Sequence, residues 1–216
     1  MELRRVLLLN GSPRRGNSLS LITHMSELLT GRGLECRILH AGIVPIDELL
    51  AALSAADSVI LGFPLYVDSL PGSLTRILER ISEEFRGDGR SFTAIVNCGF
   101  PESGQANVAL GITKQFALST GFRWLGGLAM GAGGSIGDRT VGECGGMLRN
   151  VAAGLKLAAD DIAEDRDVSA EAVRLVGLPL FPNFIYRVAV GQHFRSRAKK
   201  NGARINEKPY QWRGRK

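Results

Sequence analysis

Apolar positions along this chain fall into two patterns that alternate. Short unbroken runs give way to longer stretches in which apolar residues recur at helical spacing. Leu3 to Leu9 reads as such a run, continuous from Val6 after Arg4 and Arg5 and closing toward Gly11, as expected of a strand buried on both faces. Asn17 and Ser18 then offer helix N-caps. Leu21, Ile22, Met25, Leu28 and Leu29 follow at helical spacing up to Gly31. Leu34 to Leu39 reads as a second strand, Ile46 to Leu53 as a short helix, and Ser58 to Gly62 as a third strand stopped at Phe63-Pro64. Pro71 opens a helix whose apolar face is Leu74, Ile77, Leu78, Ile81 and Phe85. The turn Gly87-Asp88-Gly89 precedes a strand at Phe92 to Asn97, a helix at Ser103 to Ser119 and a strand at Phe122 to Met130. After a glycine-rich stretch, Gly142 to Glu164 reads as the last helix of the body, weakened by Gly145, Gly146 and Gly154.

Alternating strands and helices predict a parallel sheet with helices on both faces, joined by right-handed crossovers. Five strands suit a doubly wound sheet of order 2-1-3-4-5. Ligands of such sheets bind beyond the strand carboxyl ends, where the winding reverses. The loops of interest are therefore 10–18, 62–71, 97–103 and 130–139. The expected division is a body over residues 1–165 and a C-terminal extension over 166–216.

Composition narrows the class. The 216 residues are 44% hydrophobic and 22% charged, ordinary for a globular chain. Three cysteines exclude a disulfide scaffold and lead us to expect free thiols in a reducing cytoplasm. The net charge of +6 is uneven. From Arg187 to Lys216 there are ten Lys or Arg and one acid, Glu207, leaving 17 basic and 20 acidic residues elsewhere. The basic character belongs to a tail, which argues against a nucleic-acid-binding body. No stretch reads as a membrane span, and the N-terminal apolar run is too short for a signal peptide.

The first loop, Asn10-Gly11-Ser12-Pro13-Arg14-Arg15-Gly16-Asn17-Ser18, joins a buried strand to a helix N-terminus. Free amides and the helix dipole favour an anion there. Ser12, Asn17 and Ser18 add short donors, and Arg14 or Arg15 adds charge, so a phosphomonoester fits. The loop lacks the Gly-Lys-Ser/Thr ending of a P-loop and the Gly-x-Gly-x-x-Gly of a pyrophosphate-binding turn.

Leu9-Asn10-Gly11-Ser12-Pro13-Arg14 with Gly16-Asn17-Ser18 resembles the phosphate loop of the NAD(P)H-dependent FMN reductases. Ala56-Asp57 through Gly62-Phe63-Pro64-Leu65-Tyr66, then Leu70-Pro71-Gly72, resembles that family's second signature, and the likeness covers about residues 3–130. The resemblance implies a flavodoxin-like fold, bound FMN, and hydride transfer from NADPH or NADH to the flavin. Electrons then pass to a quinone, nitro compound, free flavin or similar small-molecule acceptor. It also implies a homo-oligomer. Carried over, Ser12, Arg14, Asn17 and Ser18 hold the phosphate; Pro64, Leu65, Tyr66 and Val67 line one side of the ring; Asn97, Cys98 and Gly99 approach another. The related iron-sulfur flavoproteins carry a compact cysteine cluster before Ala56; here that region reads Gly42-Ile43-Val44-Pro45-Ile46, so no cluster and no metal are expected.

On physical grounds Pro64 and Pro71 stiffen the loop presenting Tyr66, which either packs on a flat ring or closes the core beneath the loop. Cys98 reads best as a small buried hydrophobe. No side chain need act as acid or base, because the cofactor carries the chemistry. A non-enzymatic electron-transfer or FMN-sensing protein is the alternative.

Gly133-Gly134-Ser135-Ile136-Gly137 matches a nucleophile elbow, but in a glycine-rich stretch the simpler reading is a flexible loop at the ligand end of the last strand. His24, His40 and His193 show no ligand spacing. In the tail, Asn183 caps an expected helix to about Lys200, with Phe184, Val188, Gly191, Phe194 and Ala198 near one face and basic residues elsewhere. Packing on its own or a second subunit is the preferred reading; peripheral contact of 183–200 with an anionic membrane is the other. Pro209, Tyr210 and Trp212 would become ordered across a dimer interface.

Overall fold

The computed structural model describes residues 4–14, 16–137, 139–203 and 205. Leu3, Arg15, Pro209, Tyr210 and Trp212, named above, lie outside them. The strands are β1 (Arg5–Asn10), β2 (Glu35–His40), β3 (Ser58–Pro64), β4 (Ser91–Asn97) and β5 (Arg123–Met130). The helices are α1 (Asn17–Thr30), α2 (Ile46–Ala55), α3 (Gly72–Glu84), α4 (Asn107–Ser119), α5 (Arg149–Ala163), α6 (Ala170–Gly177) and α7 (Asn183–Lys200). The sheet is wholly parallel with order β2-β1-β3-β4-β5, as expected from the alternation.

Residue alternation along each strand divides the core in two. Val6 and Leu8 join Ile60, Ile95 and Leu128 under α1 and α5. Leu7 and Leu9 join Val59, Leu61, Phe63, Phe92 and Val96 under α2, α3 and α4. Helix α1 lies very close to β3, because a Cβ on Gly62 would stand 2.2 Å from Ile22 Cγ2.

Several expectations need correction. Asn17 does not cap α1: it is the first helical residue, and Gly16 holds the cap position without a side-chain hydrogen bond. The helix expected over 103–119 begins as a 3-10 turn, Ser103–Ala106, before α4. The one expected over 142–164 is broken at Gly145, whose φ of 53° no helix accommodates, and α5 starts only at Arg149. Helix α6 escaped the sequence reading altogether. Ser169 caps it, accepting from the Ala172 N–H, while Asp161 accepts from the Ser169 N–H at 2.9 Å. Gly154 lets α5 and α6 approach, since a Cβ there would meet Val176 Cγ2 at 2.7 Å. The chain accordingly divides into two compact units between Leu180 and Phe181, and residues 166–180 belong with the first.

The second unit contains α7. It begins at Asn183, with Pro182 in the cap position. Its apolar stripe is not clean. Arg187 stands three residues from Phe184 and four from Gly191, and Arg195 four from Gly191 and three from Ala198, so both project within the stripe. Among the described residues, no helix is long and apolar enough to cross a membrane.

Candidate functional site at the strand carboxyl ends

The winding reverses between β1 and β3, and the loops leaving these strands start level with each other. Asn10 is in register with Gly62, and Pro64 with Asn97. The Gly11 N–H donates to Gly62 O at 2.8 Å, tying the first loop to β3.

The first loop is built on Asn10, which is fully buried. Its Oδ1 accepts the Ser12 N–H at 3.1 Å, and its amide nitrogen lies 3.0 Å from His40 Nδ1 at the end of β2. Ser12 Oγ in turn accepts the Arg14 N–H at 3.3 Å. Asn10 and His40 thus shape the loop without facing its outer side. Sequence reasoning missed both; the signal for Asn10 was a polar residue closing an apolar strand. Beyond the loop, α1 has no side-chain cap and no acid in its first turn. The N–H groups of Asn17 and Ser18 therefore lie at the positive end of the helix, directly after the loop that carries Ser12 and the exposed Arg14. This donor set suits a dianionic phosphate.

The second loop is a tight hairpin. Tyr66 and Ser69 exchange backbone hydrogen bonds, Tyr66 N–H to Ser69 O at 2.9 Å and Ser69 N–H to Tyr66 O at 3.1 Å. Between them Val67 and Asp68 both have positive φ, 49° and 58°. Such a turn calls for Asn or Gly. A β-branched residue in the left-handed region is strained, and this one is 97% exposed. Tyr66 is 43% exposed, so it does not close the core. Pro64 and Leu65 are half-buried, the Leu65 N–H donating to Asn97 O at 2.8 Å.

The loops after β4 and β5 lock together. Ala132 N–H donates to Phe100 O and Gly133 N–H to Cys98 O, at 2.6 and 2.8 Å. Gly131 permits this, since a Cβ there would sit 2.1 Å from Pro101 O. Arg139 closes the loop, donating to Ser135 O at 2.6 Å and Ile136 O at 3.1 Å, and Ser20 of α1 donates to Arg139 O. Within the Gly133-x-Ser135-x-Gly137 stretch, Gly133–Ser135 form a 3-10 turn whose Ser135 carbonyl accepts from Arg139. A reciprocal cap follows: Glu143 accepts the N–H and hydroxyl of Thr140, and its own N–H donates to Thr140 Oγ1. The two Thr140 donors, backbone first, hold the Glu143 carboxyl below its usual value, with Arg139 adding to them against a small opposing effect of burial.

Three candidates are turned inward. The buried Ser18 hydroxyl donates to Asn97 Oδ1 at 2.5 Å, so α1 is fastened to the end of β4. The Cys98 thiol donates to Phe100 O at 3.3 Å, and burial pushes its pKa up, as befits a small buried hydrophobe. Its backbone N–H and C=O are both taken by the β5 side, through Met130 O and Gly133 N–H. Gly99 and Phe100 follow at the surface; Phe100 is 57% exposed, and a Cβ on Gly99 would meet nothing within 4 Å. Exposed Tyr66, Val67 and Phe100 with the open surface at Gly99 fit a flat, largely apolar ring. Cys36, Cys98 and Cys144 are free and stand on separate elements, and no group of three metal-ligating side chains occurs among the described residues.

A doubly wound parallel sheet of order 2-1-3-4-5, with a helix N-terminus at its reversal point, defines the flavodoxin-like class of α/β fold. The model of the NADPH-dependent FMN reductase family matches residues 4–133, and the chain belongs to that family. It is therefore an NAD(P)H-dependent flavin oxidoreductase with FMN as its cofactor. No curated protein matches it. Among solved structures it is similar to the rubredoxin oxygen:oxidoreductase of the anaerobe Desulfovibrio gigas, with 13% identity and a TM-score of 0.57 over 74% of this chain and 35% of that one. It is similar also to a flavone reductase, at 14% and 0.55 over 73% and 64%. A cysteine-to-serine variant of Pseudomonas aeruginosa flavodoxin gives 21% and 0.51 over 70% and 99%. At these identities the likeness is one of fold.

Proposed function

We propose that this chain passes reducing equivalents from NADPH or NADH to a small-molecule acceptor such as a quinone, a nitro compound or free flavin. FMN, when bound, supplies the hydride-accepting and hydride-donating chemistry. Ser12, Arg14 and Asn17, with the Ser18 backbone N–H, hold its phosphate. Tyr66 and Val67, carried by Pro64 and Leu65, cover one side of the ring, and Gly99 lets the backbone approach another. Asn97 and Cys98 set that approach from beneath. No acid or base from the chain is required. The observation that carries this reading is Val67: an apolar side chain held strained and exposed between two stiffening prolines. The setting we assign is a homo-oligomer in a reducing cytoplasm, without nucleic acid.

The test is a visible spectrum after FMN is added and the excess removed, repeated with NADPH under nitrogen and then with a benzoquinone. Retained flavin bands that bleach and then recover are expected, with parallel double-reciprocal lines in steady state. Loss of flavin on desalting would refute the cofactor assignment. Retained bands that NADPH leaves unbleached would instead favour an electron-transfer or sensing protein.

A further inference from the structure

Helix α7 segregates its residues along its axis instead of around it. From Phe184 to Val190 the one charge is Arg187, while Phe184, Ile185 and Val188 are 69%, 44% and 59% exposed. From Gln192 to Lys200 the exposed residues are mainly polar and include Arg195, Arg197, Lys199 and Lys200, with Phe194 the one large apolar side chain among them at 56% exposed. No acidic residue occurs in the helix, which carries five cations, Arg187, Arg195, Arg197, Lys199 and Lys200. At the apolar end the Ile185 and Tyr186 N–H groups both donate to Pro182 O.

We infer that α7 is an interfacial anchor for an anionic phospholipid surface, its apolar N-terminal half sunk below the headgroups and its basic C-terminal half lying among them. At about 1.5 Å per residue the apolar half is about 10 Å long, short enough to be seated within one leaflet. The four cations at the other end supply the second signal that stable anchoring needs. Pairing with α7 of a second copy would set five cations against five, which disfavours that occupant. The anchor does not depend on the flavin reading. Its consequence for substrate does rest on it: a reductase held at a bilayer meets quinones dissolved there.

The full-length protein is mixed with phosphatidylcholine vesicles with or without about 30% phosphatidylglycerol and sedimented. Binding to the anionic vesicles alone is expected. The quadruple variant R195Q/R197Q/K199Q/K200Q should lose at least about tenfold in partition coefficient, and binding should weaken as salt rises. The variant F184S/V188S should lose about tenfold with the same salt dependence. Circular dichroism and the NADPH oxidation rate with a water-soluble quinone should match the parent for both variants. Equal binding to both vesicle types, no binding, or full binding by F184S/V188S would overturn the anchor. So would a dimer in solution that F184S/V188S dissociates, which would give the surface to a second copy. If the vesicles bind but a vesicle-embedded quinone is reduced no faster than in detergent, the substrate consequence fails and the anchor stands.

Discussion

Val67 is strained in the structure and is proposed to cover the flavin ring, and the two roles carry opposite signs, so one substitution examines both. In Val67→Asn the φ of 49° passes to a residue that tolerates the left-handed region. Relief of a β-branched side chain there should stabilise the FMN-free protein by about 1 kcal/mol, the low end of about 1–2 kcal/mol per residue for that region. Little opposes this, because the side chain is 97% exposed and packs on almost nothing. For a unit of this size the gain corresponds to a rise in Tm of about 2–4 °C. Binding should move the other way. Covering a whole valine side chain contributes about 1.5–3 kcal/mol, so losing most of that contact should raise the Kd for FMN about five- to thirtyfold. Thermal unfolding of the apoprotein and flavin-fluorescence quenching read the two quantities separately. A lowered Tm would refute the strain argument. An unchanged Kd would refute the contact between Val67 and the ring.

Asn97→Ala leaves the Ser18 hydroxyl buried without its acceptor and should cost about 1–3 kcal/mol in urea unfolding; a change below about 0.5 kcal/mol would mean that the bond does not fasten α1 to β4. Glu143→Gln examines the cap on the β5 loop. The Glu143 carboxyl is depressed in the folded protein, so its contribution is complete above the ordinary value of 4.5 and disappears as pH falls through the lower folded value. Wild type should be the more stable at neutral pH, and the two curves should converge in acid; parallel curves would refute the cap.

How legible the site was depended on the kind of interaction involved. The first loop could be read as a strand-to-helix turn because its polar residues are contiguous: Ser12, Arg14 and Asn17 lie between β1 and the start of α1. The hairpin at Tyr66 was legible as a loop, but nothing local marks Val67 as left-handed, since its strain is sustained by the ladder from Leu65 to Asn97 and by the Tyr66–Ser69 pair. Ser18 looked like a phosphate ligand because a hydroxyl at a helix start usually faces out. Its neighbour at the helix end is Asn97, distant in sequence, and that contact turned it inward. Helix α6 was missed because its apolar face is small: Ala172 and Val176 meet a groove that Gly154 opens.

The sequence by itself determined the strand and helix order, the parallel sheet and its winding, because buried parallel strands need unbroken apolar runs and right-handed crossovers leave few topologies. It also marked the loop between β1 and α1 as the place where short polar side chains gather at a helix start. Only the tertiary structure decided which candidates face outward, that Arg139 closes over the glycine-rich turn, and that Phe184, Ile185 and Val188 of α7 are exposed. Those outcomes rest on contacts between distant segments and on three-dimensional exposure, which no local pattern of residues encodes.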